Sequence, residues 1–194
     1  MSRFFTLSPL KTLKLERTRQ LETFAEPKKI EINPNYHQQR QQNQTKLTDD
    51  MIDAPIVHII NKINKRPHCF TLQCCYGHFI YNHQKDPHNF DPLPETEKLD
   101  KIEYRIAYLA FCIDNNEAGE NLLDTISRVT LLSPENIQLG SPKWFWQQQV
   151  NSYVLQVEPN RYKYEDRIFL EYQEALKIEK IRNAFFNKLN ELLG

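Results

Sequence analysis

Three of the four cysteines, two of the six histidines and one of the four glycines fall in one short stretch, His68-Cys69-Phe70-Thr71-Leu72-Gln73-Cys74-Cys75-Tyr76-Gly77-His78-Phe79-Ile80-Tyr81. A thiolate beside an imidazolium is a nucleophile, and Cys75 or Cys74 with His78 would supply one. Yet a buried cysteine commonly acts as a small hydrophobe. Zinc chemistry is the second option, since His68, Cys69, Cys74, Cys75, His78, His83 and His88 offer ligand types in quantity. They do not form paired CxxC knuckles, and adjacent Cys74 and Cys75 point to opposite faces of an extended chain. The sequence therefore assigns no metal site. Neither GxGxxG nor GxxxxGK[ST] occurs, so the usual dinucleotide and P-loop fingerprints are absent. Trp144-Phe145-Trp146, next to Lys143, has the composition to stack on a base, or to close a core.

The elements that would position this chemistry can be read from the pattern around it. Cys69–Thr71 and Phe79–Tyr81 favour extended backbone, with Cys74–His78 a tight turn between them and Gly77 its flexible point. Upstream, Ile52, Ile56, Ile59, Ile60 and Ile63 at helical spacing predict a helix over 50–64, capped by Thr48 or Asp49, with Pro55 in its first turn. Residues 82–97 form a proline-rich loop carrying His83 and His88. Further strands are predicted at 103–114, 144–146 and 150–158, and a helix at 115–129. A long helix is expected from Asp166 to Leu193, its stripe Ile178, Ile181, Phe185, Leu189 and Leu192 packing on the domain or on a second copy. Strands alternating with helices give an α/β or α+β fold, a single mixed-sheet domain.

Residues 1–45 read as a basic arm, partly mobile, before a 46–194 domain. Leu10, Leu13, Leu15, Leu21 and Phe24 suit a short helix entered at Ser8-Pro9, and Gln38–Gln44 a linker or the end of a helix. Residues 1–46 hold nine Lys/Arg against four Asp/Glu, while 47–135 hold eight against fourteen. A basic arm on an acidic middle fits a phosphate-bearing partner, or an arm that neutralises its own domain. Zero net charge argues against a general nucleic-acid coat protein. No run of about 18 apolar residues exists, so no membrane span is expected. With no secretory leader legible at Met1-Ser2-Arg3-Phe4-Phe5, a cytoplasmic protein with reduced thiols is expected.

Phe70-Thr71-Leu72-Gln73-Cys74-Cys75-Tyr76-Gly77-His78 resembles a motif of the wybutosine-synthesis methyltransferases, Phe-Thr-Thr-Ser-Ser-Cys-Ser-Gly-Arg. That family methylates a tricyclic guanosine derivative in phenylalanine tRNA with S-adenosylmethionine. Lys46, Asp50 and Pro55 resemble the family's upstream Ser-x-Lys-Gly-x-x-Asp and following proline, and Ile60-Asn61 match the end of its helix. Downstream the likeness is one of element order, through Arg105–Asp114, Leu122-Leu123, Val157-Glu158-Pro159 and the C-terminal helix. Gln73 and Cys74 replace the motif serines, Leu47 replaces the glycine after the lysine, and His78 replaces the arginine. An imidazole cannot reproduce a bidentate guanidinium, so ligand recognition would differ.

The resemblance implies S-adenosylmethionine as cofactor and tRNA or another RNA as partner. Its ligand-binding residues would be Lys46, Asp50, Phe70, Thr71, Cys74, Cys75, Gly77 and His78, with His78 and Asp50 catalytic. Asp50 would contact the ligand, Lys46 would offset phosphate or carboxylate charge, and His78 would act as base. The turn's backbone N–H groups would cradle an anion. The rival expectation is a non-enzymatic protein- or RNA-interaction protein built on the same fold.

Overall fold

The computed structural model describes residues 24–82, 84, 86–95, 99, 101–165 and 167–194. The helix expected over 10–24 lies, except for Phe24, outside the described residues, as does His83. In chain order the elements are α1 (Tyr36–Gln44), α2 (Val57–Asn64), β1 (Cys69–Cys75), β2 (His78–Ile80), β3 (Ile102–Arg105), β4 (Ala107–Ile113), α3 (Glu117–Ser127), β5 (Ile137–Gly140), α4 (Lys143–Gln148), β6 (Ser152–Val157), β7 (Arg167–Leu170) and α5 (Tyr172–Leu192). They make an α+β domain of two sheets, ordered β1-β4-β6-β5 and β2-β3-β7. Every strand pair is antiparallel.

The two sheets share a pair of bent strands. Cys75 lies opposite Tyr108 in the larger sheet and His78 opposite Arg105 in the smaller, so the register runs unbroken around a corner at Tyr76-Gly77 and Ile106. The strand expected over 103–114 is thus β3 and β4, divided where the backbone turns between sheets. Gly77 makes the corner possible: its φ is +89°, and a Cβ there would stand 2.9 Å from the Ala107 Cβ.

A second irregularity sets which side chains face out. The β1–β4 register slips between Thr71 and Gln73, placing Leu72 in a bulge. Before it, Cys69 opposes the core residue Ile113; after it, Cys74 opposes Leu109, also in the core. Cys75 therefore falls on the opposite face from Cys74, beside Tyr108.

The region 50–64 is not one helix. Pro55 has no N–H and its ring would collide with the carbonyl four residues back, so regular α-helix begins only after it. Two 3-10 turns, Asp49–Met51 and Ala54–Ile56, precede α2, with Ile52 extended between them. The isoleucine stripe is nevertheless buried as its spacing predicts. Trp144–Trp146 lies in the short helix α4 rather than a strand; Trp146 packs edge-on to Tyr153, while Trp144 is 38% exposed. Residues 167–170 form β7, with Ile168 and Leu170 inward and Arg167 and Phe169 outward, so the last helix starts at Tyr172. Along α5, Ile178, Phe185 and Leu189 are fully buried in this domain's own core.

Residues 24–45 lie against the domain. Lys28 N–H donates to Ser141 Oγ at 3.0 Å, and Glu31 exchanges hydrogen bonds of 2.8 and 2.7 Å with the Asn151 side chain. The Gln-rich segment is α1, which covers Phe70 and Cys112 with Tyr36. Arg40 of α1 donates to the carbonyls of Asn64 and Arg66 at 2.8 and 3.2 Å, satisfying the exposed end of α2.

Gly77→Ala tests the corner directly. The added Cβ combines a left-handed backbone with a clash, and should cost about 2–4 kcal/mol in urea unfolding; a loss under about 1 kcal/mol would show that the corner can relax.

Candidate functional site

Asp53, which precedes the second 3-10 turn, makes no cap hydrogen bond with its side chain. It turns instead to the corner, where Oδ2 accepts the Tyr76 N–H at 2.6 Å. The same oxygen stands 3.6 Å from His78 Nε2. Cys75 completes the group: one ligand-type atom from each of Asp53, Cys75 and His78 lies within 4.8 Å of the others. The cluster brings the Cys74–His78 turn against the segment leading into α2. The Gly77 N–H donates to Cys75 Sγ at 3.3 Å. Both turn N–H groups are thereby engaged, and the expected anion cradle is not open to an outside anion.

Aromatic rings enclose the cluster. Phe90 lies over His78 at 5.4 Å between centroids, and His88 meets the same ring edge-on at 5.9 Å. Tyr76 stacks on Phe186 at 5.2 Å and is faced by the Arg182 guanidinium at 4.2 Å. Arg182 is itself buried, donates to the Gly77 carbonyl at 3.1 Å, and lies 3.7 Å from Glu179. Glu179 in turn accepts the Leu93 N–H at 3.0 Å, fastening the loop that carries Phe90 to α5.

The electrostatics of the cluster separate its members. Burial pushes the Asp53 pKa up, but the neighbouring His78 imidazole and the hydrogen bond from the Tyr76 N–H outweigh it, so the carboxyl sits below its usual range. Burial pushes the Cys75 thiol up to about 12, and the nearby Asp53 carboxylate adds to the effect. Cys74 is raised to about 12 for the same two reasons. Both shifts weigh against the thiolate–imidazolium reading.

The residues singled out in the sequence divide into three groups. Cys75, Gly77 and His78 meet at the corner. Cys74 is on the opposite face of β1, packed against the core. Phe70 and Thr71 are fully buried within β1: Phe70 lies against Tyr36 at 5.5 Å between rings, and the Thr71 N–H donates to Asn64 Oδ1 at 2.8 Å. Their surroundings give them a packing role. Lys46 and Asp50 are exposed, Asp50 in the first 3-10 turn and Lys46 before it. The acidic residue that reaches the turn is Asp53. Its signal in the sequence was Asp-Ala-Pro, a carboxylate just ahead of a helix-breaking proline, which reads as a cap. A separate cleft of about 330 Å³, lined by Glu135, Asn136, Arg161, Glu174 and Lys177, shares no residue with this cluster. Arg161 there is already engaged by Glu174 at 2.7 Å.

Neither a protein-family model nor a curated protein matches the chain. Among solved structures it is similar to the PH1069 protein from Pyrococcus horikoshii, with 16% identity, a TM-score of 0.47, and coverage of 82% of this chain and 92% of that one. A second structure, PH1069 from Pyrococcus horikoshii OT3, gives 15% identity and TM-score 0.47 over 83% of this chain and 93% of that one. A hypothetical protein from Aeropyrum pernix is similar at 10% identity and TM-score 0.39, over 73% and 97% of the two chains. No helix among the described residues is long and apolar enough to cross a membrane.

Thiol reactivity checks the electrostatic picture. At pH 8 a thiol raised from about 9 to about 12 has a thiolate fraction roughly a thousandfold lower. Native Cys74 and Cys75 in EDTA-containing buffer should therefore react with maleimide at least about a hundredfold more slowly than in urea. Rapid modification of Cys75, located by peptide mapping, would show an activated thiolate instead.

Proposed function

We propose that this chain is a divergent relative of the wybutosine-synthesis methyltransferases, binding S-adenosylmethionine or a similar nucleotide at the corner and acting on RNA, with tRNA as acceptor class. The observation that carries this reading is a row across the small sheet. His78 pairs with Arg105, and Arg105 with Arg167. Directly opposed residues of antiparallel strands share a face, so the imidazole of the motif begins a line of two guanidiniums. In the next row Phe169, 62% exposed, pairs with Glu103. Glu103 lies 3.3 Å from Arg105 and 3.7 Å from Arg167, so one carboxylate is shared by two cations and the face keeps positive charge. Basic side chains beside an exposed ring suit a phosphate backbone and a stacked base.

The residues at the corner suit a cationic cofactor. An ionised Asp53 and the ring of Phe90 favour positive charge, while the turn N–H groups that would attract an anion are engaged. When bound, S-adenosylmethionine supplies an electrophilic methyl group. His78, with Nε2 facing Asp53, is placed to take a proton from the acceptor, and the carboxylate would stabilise the resulting imidazolium. Asp53 thereby takes the ligand-contacting part that the resemblance gives to Asp50.

Calorimetric titration with S-adenosylmethionine is the test. Dissociation constants in the micromolar range, about 8 kcal/mol of binding, are expected for the native chain. Asp53→Asn should weaken binding at least about tenfold, and the exposed Asp50→Ala should change it less than about twofold. Phe169→Ala and Arg167→Ala should weaken tRNA binding and leave the cofactor isotherm unchanged. No heat at millimolar ligand would overturn the cofactor assignment.

A further inference from the structure

We infer that Asp53, Cys75 and His78 form a binding site for a divalent transition-metal ion of the zinc type, with three protein ligands and one position open. The strongest geometric clue is a gap. His78 is only 8% exposed, yet its Nδ1 meets no partner and its Nε2 stands 3.6 Å from Asp53 Oδ2. That separation exceeds a normal hydrogen bond. It matches the distance between two ligands of one tetrahedral ion, about 3.3–3.8 Å for metal–ligand bonds of 2.0–2.3 Å. Cys75 Sγ lies within 4.8 Å of both partners, so a small closure of the cluster brings all three atoms onto one ion.

The turn between Cys75 and His78 already provides the supporting shell. Tyr76 N–H holds the Asp53 carboxylate at 2.6 Å and Gly77 N–H holds the Cys75 sulfur at 3.3 Å. Such outer hydrogen bonds fix ligand orientation in metal sites. Charge balance agrees: the Cys75 S–H bond breaks, its proton leaves to solvent, and a sulfur–metal bond forms. One thiolate, one carboxylate and a divalent ion sum to zero, which a partly buried site tolerates. Sulfur and imidazole donors disfavour calcium and magnesium and favour zinc or cobalt.

The test uses the full chain, stripped with chelator and titrated with Co²⁺. About one equivalent should bind per chain, producing a sulfur-to-cobalt charge-transfer band that is displaced by Zn²⁺. Cys75→Ser should abolish the band and Cys74→Ser should preserve it. Asp53→Asn and His78→Gln, with circular dichroism confirming a folded chain, should each weaken Zn²⁺ affinity at least about tenfold. If Cys75→Ser fails to fold, these two variants decide the matter. Absence of a band in the native chain, a band that survives in Cys75→Ser, or unchanged Zn²⁺ affinity in both other variants would overturn the site. Titration with S-adenosylmethionine in chelator tests the corner's other proposed ligand separately.

Discussion

At the corner between the two sheets, the Gly77 backbone passes so near Ala107 that a Cβ would stand 2.9 Å from that residue's own. Much of the molecule depends on this approach. Because the register is continuous on both sides, one bend redirects two strands together. Beyond the bend β4 pairs with β6 in the larger sheet and β3 with β7 in the smaller, while β1 and β2 form the sheets' edges. The long helix α5 binds to the bend through Arg182, which donates to the Gly77 carbonyl at 3.1 Å. Burying a guanidinium costs several kcal/mol unless it is paired. Glu179, the Gly77 carbonyl and the faces of Tyr76 and Phe79 provide that compensation together. The charge thus acts as a specific fastener between helix and corner, where an apolar side chain would pack without fixing the turn.

Part of this arrangement was legible in the sequence. Gly77 stood out as one of four glycines, set among thiols and an imidazole, and the fold gives it both a positive φ and a close approach to Ala107. The isoleucine stripe of 52–63 gave the right buried face although the backbone there is broken by Pro55. The division of 103–114 was not legible, because Tyr104, Ile106, Tyr108 and Phe111 read as one strand. Only the partner strand's glycine decides where it turns. The helix at 143–148 was hidden by its aromatic composition: Trp and Phe favour strands in general, but here Trp146 is held by Tyr153 and Lys28. Arg167-Ile168-Phe169-Leu170 does alternate cleanly, and its strand was absorbed into a helix extended too far upstream.

The site shows the same division between local and tertiary signals. Cys75 and His78 were visible as a pair three residues apart across a turn. Which cysteine belongs to that pair was not, because the answer rests on the bulge at Leu72. Had the pairing run on past Thr71 without the slip, Cys75 would oppose the core residue Ala107 and Cys74 would oppose Tyr108 on the other face. Asp53 was missed for a related reason. A carboxylate before Ala-Pro has a sufficient local role as a cap, and only the folded chain shows that it declines this role and reaches Tyr76 N–H at 2.6 Å. Asp50, which matched the upstream pattern better, stays exposed.

The two proposed occupants of the corner draw on one carboxylate. With Cys75 protonated, the Asp53 carboxylate is a negative charge in a partly desolvated setting and attracts a cation. A sulfonium would use the carboxylate and the Phe90 ring without displacing the thiol proton. A metal ion would use the carboxylate, the sulfur and the imidazole Nε2, and would fix the ring proton on Nδ1, so that His78 could not receive another. The two states are therefore alternatives at Asp53 and His78. A metal held there would oppose methyl transfer through loss of the base, while leaving the Arg105, Arg167 and Phe169 face available to RNA. Occupancy of this one corner would then decide between a catalytic and a purely RNA-binding form of the same fold.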